Sequence, residues 1–268
     1  MQTIRHAAVA GAFYPGDSRM LAGHVQALLR AAPADAAPVI PKAIVVPHAG
    51  YVYSGQTAAK VYAGLMPARN TIKRVVLLGP AHRVYVRGLA LPDADSFATP
   101  LGMVELDKQA MARLRGLRQV VVSAAAHDQE HSLEVQLPFL QSVLDDFRLV
   151  PLVVGDASPA EVAEVLDVLW GGEETLIVVS SDLSHYLSYA QARQADQLAV
   201  DKILKLQDTL THQQACGGMV VNGLIFAARE HHLEPRLVDM CNSGDTAGDK
   251  DRVVGYASFL FTERTGRA

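Results

Sequence analysis

The chain has 268 residues, of which 50% are hydrophobic and 19% charged, with a formal net charge of −4. That is enough apolar material for one large core, and the whole chain, residues 1–268, reads as a single domain. The acidic balance provides no basic field for a phosphate backbone or an anionic bilayer, and no apolar run approaches the ~18 residues of a spanning helix, so nucleic acid and membrane are excluded as partners.

The apolar stretch at residues 7–14 ends in Pro15-Gly16-Asp17, without the small-residue cleavage pattern of a secretion signal. Cys216 and Cys241 stand in different local settings, which argues against a disulfide framework and for free thiols in a reducing cytoplasm.

In chain order, residues 18–31 space Met20, Leu21, Val25, Leu28 and Leu29 for a helix, and residues 33–41 form an Ala/Pro-rich connector. Residues 43–46 are a strand, a loop bracketed by Gly50 and Gly55 holds Tyr51 and Tyr53, and residues 56–65 are helical. A second strand spans 75–78. Short strands with Gly and Pro turns fill 86–106, followed by a helix at 107–117 and a strand at 120–123. Pro138 cuts or kinks any helix begun near Ser132.

Residues 149–154 are a strand, and Ser158 with Pro159 opens a helix to 169. A strand at 176–180 and a helix at 189–205 follow. Gly217-Gly218 breaks the next segment before an apolar helix, and strands at 237–240 and 253–261 close the chain. Alternating strands and helices predict a three-layer α/β/α sandwich with a mixed sheet.

Four apolar strand-like runs end directly on a ligand type: Pro47-His48, Gly79-Pro80-Ala81-His82, Ser180-Ser181-Asp182-Leu183-Ser184-His185 and Met240-Cys241. Carboxyl ends of neighbouring strands in an α/β sheet converge on one crest, so these residues can share a pocket. His48, His82 and Cys241 make a three-donor set with one negative charge and open positions, suited to Fe(II), copper or zinc. Asp182, Asp95 or Asp245 can orient the imidazoles through their second nitrogen. His185 reads as an acid/base beside the metal.

His127-Asp128-Gln129-Glu130-His131 matches the H-x-x-E-H pattern of one class of zinc peptidases, but no long amphipathic helix carries it; its groups read as loop residues lining the same pocket. Cys216, before an apolar helix, reads as a buried structural cysteine. No nucleotide-binding glycine pattern occurs.

Ala10-Gly11-Ala12-Phe13-Tyr14-Pro15, Pro47-His48-Ala49-Gly50-Tyr51, Gly79-Pro80-Ala81-His82, Glu130-His131-Ser132-Leu133-Glu134, Ser180 to Tyr186 and the Cys241 loop together resemble the Memo family, whose prokaryotic members are called AmmeMemoRadiSam system protein B. The resemblance covers nearly the whole chain. It implies a fold similar to the class III extradiol dioxygenases of the LigB type, which hold non-haem Fe(II) with two His and a Glu.

By that resemblance His48, His82 and Cys241 hold Fe(II) or copper, with zinc as an alternative, and Cys241 stands where the dioxygenases have their Glu. His185 and Asp182 serve catalysis, and Phe13, Tyr51, Glu130, His131 and Asp245 line the substrate pocket. Phe13 occupies the place of a Trp in eukaryotic members. The implied function is redox chemistry on a small molecule; a scaffold that binds a peptide with the same pocket, or a metal-dependent hydrolase, are the alternatives.

Overall fold

The computed structural model describes residues 2–32 and 40–263, so most of the expected Ala/Pro-rich connector lies outside the described residues. The elements in chain order are β1 (Ile4–Arg5), α1 (Ser18–Ala31), β2 (Ala43–Val46), α2 (Tyr51–Ala63), β3 (Arg74–Pro80), β4 (Leu89–Leu91), β5 (Ser96–Thr99) and β6 (Gly102–Glu105). They continue with α3 (Lys108–Leu114), β7 (Val120–Val122), α4 (Ala124–Asp128), α5 (His131–Glu134), α6 (Leu137–Val143), β8 (Arg148–Val154) and α7 (Pro159–Leu169). The last are β9 (Thr175–Ser180), β10 (His185–Leu187), α8 (Tyr189–Leu204), α9 (Gly218–Glu230), β11 (Leu233–Asn242) and β12 (Val253–Glu263).

The large sheet has the order β10-β12-β2-β9-β3-β8-β4-β7, with β11 also paired to β12. Its centre, β2-β9-β3-β8, is parallel, and β12 joins β2 antiparallel. Every residue of β2 and β9 is buried, as expected where helices cover both faces and a strand needs apolar groups on each. Helices α1, α2 and α6 pack together against one part of this core, and α3, α7 and α9 form a second packed group. The expected α/β architecture with a mixed sheet is found. A separate three-stranded sheet, β1-β5-β6, takes part of the 86–106 segment of short strands.

Helix α2 begins at Tyr51, earlier than expected, because Gly50 serves as N-cap and the residues read as a loop form its first turn. Pro138 does divide the helical stretch after residue 131: it sits in the first turn of α6, where its missing N–H costs nothing, and α5 ends before it. Ser158 caps α7 with the full reciprocal box to Glu161.

The segment joining β7 to α6 is held down by the N-terminal strand. Arg5 donates from Nε to His127 O at 3.0 Å and from Nη2 to Glu130 O at 2.7 Å, and its Nη1 pairs with Glu134. Glu134 also accepts the Ala8 and Val9 N–H groups and the Tyr14 hydroxyl, so both buried charges are fully partnered. Truncation of one member leaves the other buried and uncompensated, which costs about 3–5 kcal/mol. Glu134→Ala is therefore expected to lower unfolding free energy by that amount in urea titrations, and a loss within ~0.5 kcal/mol would contradict the assignment.

Candidate metal centre

The parallel register sets the site. Val46 lies opposite Ser180 and Leu78 opposite Val179, so β2, β9 and β3 end at one level. The chain leaving them carries His48, Asp182 and His82. Asp182 Oδ1 accepts the His48 backbone N–H at 2.7 Å, and Ser181 N–H bonds Val46 O at 2.9 Å, which fastens the first two exits together.

The third exit is fastened by Glu130, the N-cap of α5. Its Oε1 accepts Ser132 N–H at 2.9 Å and faces His82 Nδ1 at 2.8 Å, while Oε2 accepts the His82 backbone N–H at 2.7 Å. Burial raises the Glu130 pKa, but the His82 ring bond, the His82 charge and the backbone donors outweigh it and hold the carboxyl down at about 2. An ionised carboxylate only accepts, so His82 donates from Nδ1 and Nε2 is the nitrogen turned away from Glu130. Gly79 lets α5 come this close: a Cβ there would meet Ser132 Oγ at 2.6 Å and Leu133 Cδ2 at 2.9 Å.

The tautomer of His48 follows from the Ser180 hydroxyl. Ser180 donates to Ser132 O at 2.6 Å and receives Gln136 Nε2 at 2.9 Å, so it can only accept from His48 Nδ1 at 2.9 Å. His48 Nε2 is then the unprotonated nitrogen. His131 completes the group, with Nδ1 3.4 Å from Glu130 Oε1. Its ring lies 4.5 Å from that of His82 and 5.5 Å from that of His48.

One ligand nitrogen from each of His48, His82 and His131 falls within 4.8 Å of the other two, a group that could hold a metal ion. Burial, and then the neighbouring imidazoles, keep His48 well below the usual histidine range and His131 at about 4, so both are neutral ligands at pH 7. Side-chain exposure is 2% at His48, 17% at His131 and 28% at His82, so the cluster opens toward solvent on the His82 side. There it meets a cavity of about 520 Å³ lined in part by His82, Arg83, Tyr85, His212 and Cys216.

Other expected site residues distribute unevenly. Asp182 is buried, and burial pushes it up to about 7 against the His48 and Ala49 backbone donors. His185 donates Nδ1–H to Leu183 O at 2.9 Å, leaving Nε2 free, and burial lowers its pKa. Phe13 packs 4.8 Å from the His131 ring.

Tyr51, expected in the pocket, is buried at the start of α2, with its hydroxyl on Val135 O at 2.7 Å and its ring against Phe139 and Tyr14. Asp245 is engaged elsewhere, by Tyr189 Oη at 2.6 Å and by Asn242 N–H. Asp95 caps Thr3 N–H and pairs with Lys108. The carboxylate that orients a ligand imidazole is thus Glu130, which the sequence had placed among the pocket-lining residues.

Cys241, expected as the third donor, is outside the converging group: its Sγ lies 3.1 Å from Thr57 Oγ1 on α2. The third nitrogen comes from His131, and the sulfur nearest the cluster is Cys216, 3.1 Å from His48 Nε2. Strand β11 delivers Cys241 toward α2 rather than onto the crest. The H-x-x-E-H pattern does not act as a helical pair either. Helix α4 ends at Asp128, and His127 points away, with Nε2 on Ala90 O at 2.9 Å.

Carboxylates that orient a ligand imidazole are worth 10–100-fold in metal affinity. Glu130→Gln replaces an acceptor with an amide facing N–H donors, and should weaken Zn(II) binding by about that factor in a chelator competition. An unchanged affinity would show that Glu130 does not set the His82 tautomer.

The Memo-like protein family matches residues 5–260. A MEMO1 family protein of Archaeoglobus fulgidus is 38% identical, covering 96% of this chain and 99% of its own, and one of Aquifex aeolicus is 36% identical with the same coverage. Among solved structures, the uncharacterized protein JW3007 of Escherichia coli K12 shares the fold at a TM-score of 0.50 and 14% identity, over 81% of this chain and 98% of that one. No described helix is long and apolar enough to cross a membrane. From its first strand to its last, the chain belongs to the Memo-like family.

Proposed function

We propose that this protein is a metal-dependent oxidoreductase acting on a small molecule, with Fe(II) or copper held by His48, His82 and His131. The observation that carries the reading is the convergence of three imidazoles, of which His48 and His82 have Nδ1 occupied by Ser180 and Glu130 and Nε2 left outward. The adjoining cavity of about 520 Å³ has the size of a small-ligand pocket and not of an extended groove. A redox-active cation bound there would supply one-electron chemistry to a substrate seated against His82.

The chain's own groups divide the remaining work. His185 is anchored through Nδ1 and presents Nε2, so it can take a proton from a bound hydroxyl and return it. Asp182 ties the His48 backbone into place. Phe13 packs its ring against His131, 4.8 Å between centroids.

Anaerobic reconstitution with Fe(II) tests the reading. The parent should take up about one equivalent and lose it in the His48→Ala, His82→Ala and His131→Ala variants, whereas His185→Ala keeps the iron. Loss of the acid/base should cost about 10²–10⁴-fold in turnover across a panel of catechols and other oxidisable phenols. Stoichiometric iron retained by His82→Ala would remove the reading.

A further inference from the structure

The loop that leaves β3 carries His82 and then folds back over the end of β8. At its near end Glu130 grips the His82 backbone and ring. At its far end Asp156 N–H bonds Val86 O at 2.8 Å, and Gly155 N–H bonds Gly88 O at 2.9 Å. That return is possible because residue 155 has no side chain: a Cβ there would meet Val86 O at 2.0 Å. Arg83, Val84 and Tyr85 therefore span a short arch between two fixed points, and all three line the cavity beside His82.

Among the described residues Arg83 is the one lysine or arginine on the cavity lining, and it makes no hydrogen bond or ion pair with any of them. Asp156, the one acid on that lining, is not paired with it and accepts the Tyr85 hydroxyl at 3.4 Å. The guanidinium is within electrostatic reach of the imidazole cluster: burial and the His82 charge depress the His131 pKa first, Glu130 opposes them, and the Arg83 charge adds to the depression. Much of the remaining lining is apolar, with Val86, Val154, Leu210 and Val220. The Leu210 wall is preformed, because the buried Asn222 accepts Leu210 N–H at 3.0 Å and donates to Leu210 O at 2.9 Å. An unpartnered guanidinium between such walls presents a planar fork of donors, which a carboxylate matches with two parallel hydrogen bonds.

We infer that Arg83 anchors the carboxylate of a small acid whose apolar body fills this cavity and whose far end meets the open face of His82. What happens at that far end rests on the metal reading above, whereas the anchor itself is independent of the cation. The substrate class narrows accordingly, from oxidisable small molecules at large to those that carry a carboxylate at one end. Both ends of the ligand are then held by groups whose own places are fixed, His82 by Glu130 and the Arg83 arch by Glu130 and the end of β8.

Benzoate and its neutral isostere benzamide are the probes, titrated calorimetrically into metal-free and Fe(II)-loaded protein under argon. Benzoate should bind about tenfold or more tightly than benzamide in both forms, the difference expected of a charge-assisted pair. Arg83→Ala should erase that preference and Arg83→Lys should keep part of it. Arg87→Ala removes the same charge from an exposed residue off the cavity lining, and should leave the preference intact. Because Arg83 is exposed and unpartnered, its truncation should leave the fold and the uptake of iron unchanged. Equal affinity for the two probes, a preference that survives Arg83→Ala, or displacement of benzoate by inorganic phosphate at equal concentration would overturn the carboxylate anchor. No iron uptake by the parent, with the benzoate preference still lost in Arg83→Ala, would overturn the metal reading and leave the anchor standing.

Discussion

The arrangement depends on the buried carboxylate of Glu130. It closes the first turn of α5, grips the backbone of His82 and occupies Nδ1 of that ring. Each task alone is a common hydrogen bond, but together they tie a loop after β3 to a helix 48 residues later. The carboxylate remains charged in a buried place because its donors outweigh the cost of leaving water. Arg5 acts one layer further out, holding the carbonyls of His127 and Glu130 and thereby the approach of α5.

Ser180 does for His48 what Glu130 does for His82, by hydrogen-bond accounting instead of charge. Its single proton goes to Ser132 O, and the remaining capacity accepts from Gln136 and from the imidazole. Strand β9, the α5 segment and α6 thus meet at one hydroxyl. Gln136 in turn is fixed by Pro47 O and the Tyr62 hydroxyl, so the chain of orientation runs back into the core. This is how a preorganised site is built: ligands on strand ends, with tautomers set by groups that are themselves immobile.

Much of this was legible in the sequence. Apolar runs ending in Pro47-His48 and Pro80-Ala81-His82 mark parallel strands whose exits face each other, and the register puts them there. Ser158-Pro159 and Gly217-Gly218 announce helix starts that the structure contains. What strand-end reasoning missed is His131, which reaches the site from the first turn of a four-residue helix and not from a strand. Periodicity has no purchase on so short an element. Cys241 satisfied the strand-end pattern, yet β11 pairs only with β12, off the path of the main sheet, and its sulfur meets Thr57. Cys216 looked like a core residue because nothing local reveals that Gly217 folds its turn against Ser180 and Ser181. Tyr51 was misplaced for a related reason: a glycine-flanked loop and a glycine-capped helix look alike until Gly50 is seen to start the turn.

The three imidazoles leave the chain after β2, after β3 and at the start of α5, segments with no covalent tie between them. A cation gripping all three acts as a reversible cross-link that the unfolded chain cannot reproduce. Occupancy is then coupled to folding by mass action: at a free-metal concentration a hundred times the dissociation constant, the native state gains about 2.7 kcal/mol. On the proposed metal reading, heat resistance of this molecule would be a gauge of its metal supply, and loss of the ion would remove the fold's reserve along with the chemistry proposed for it.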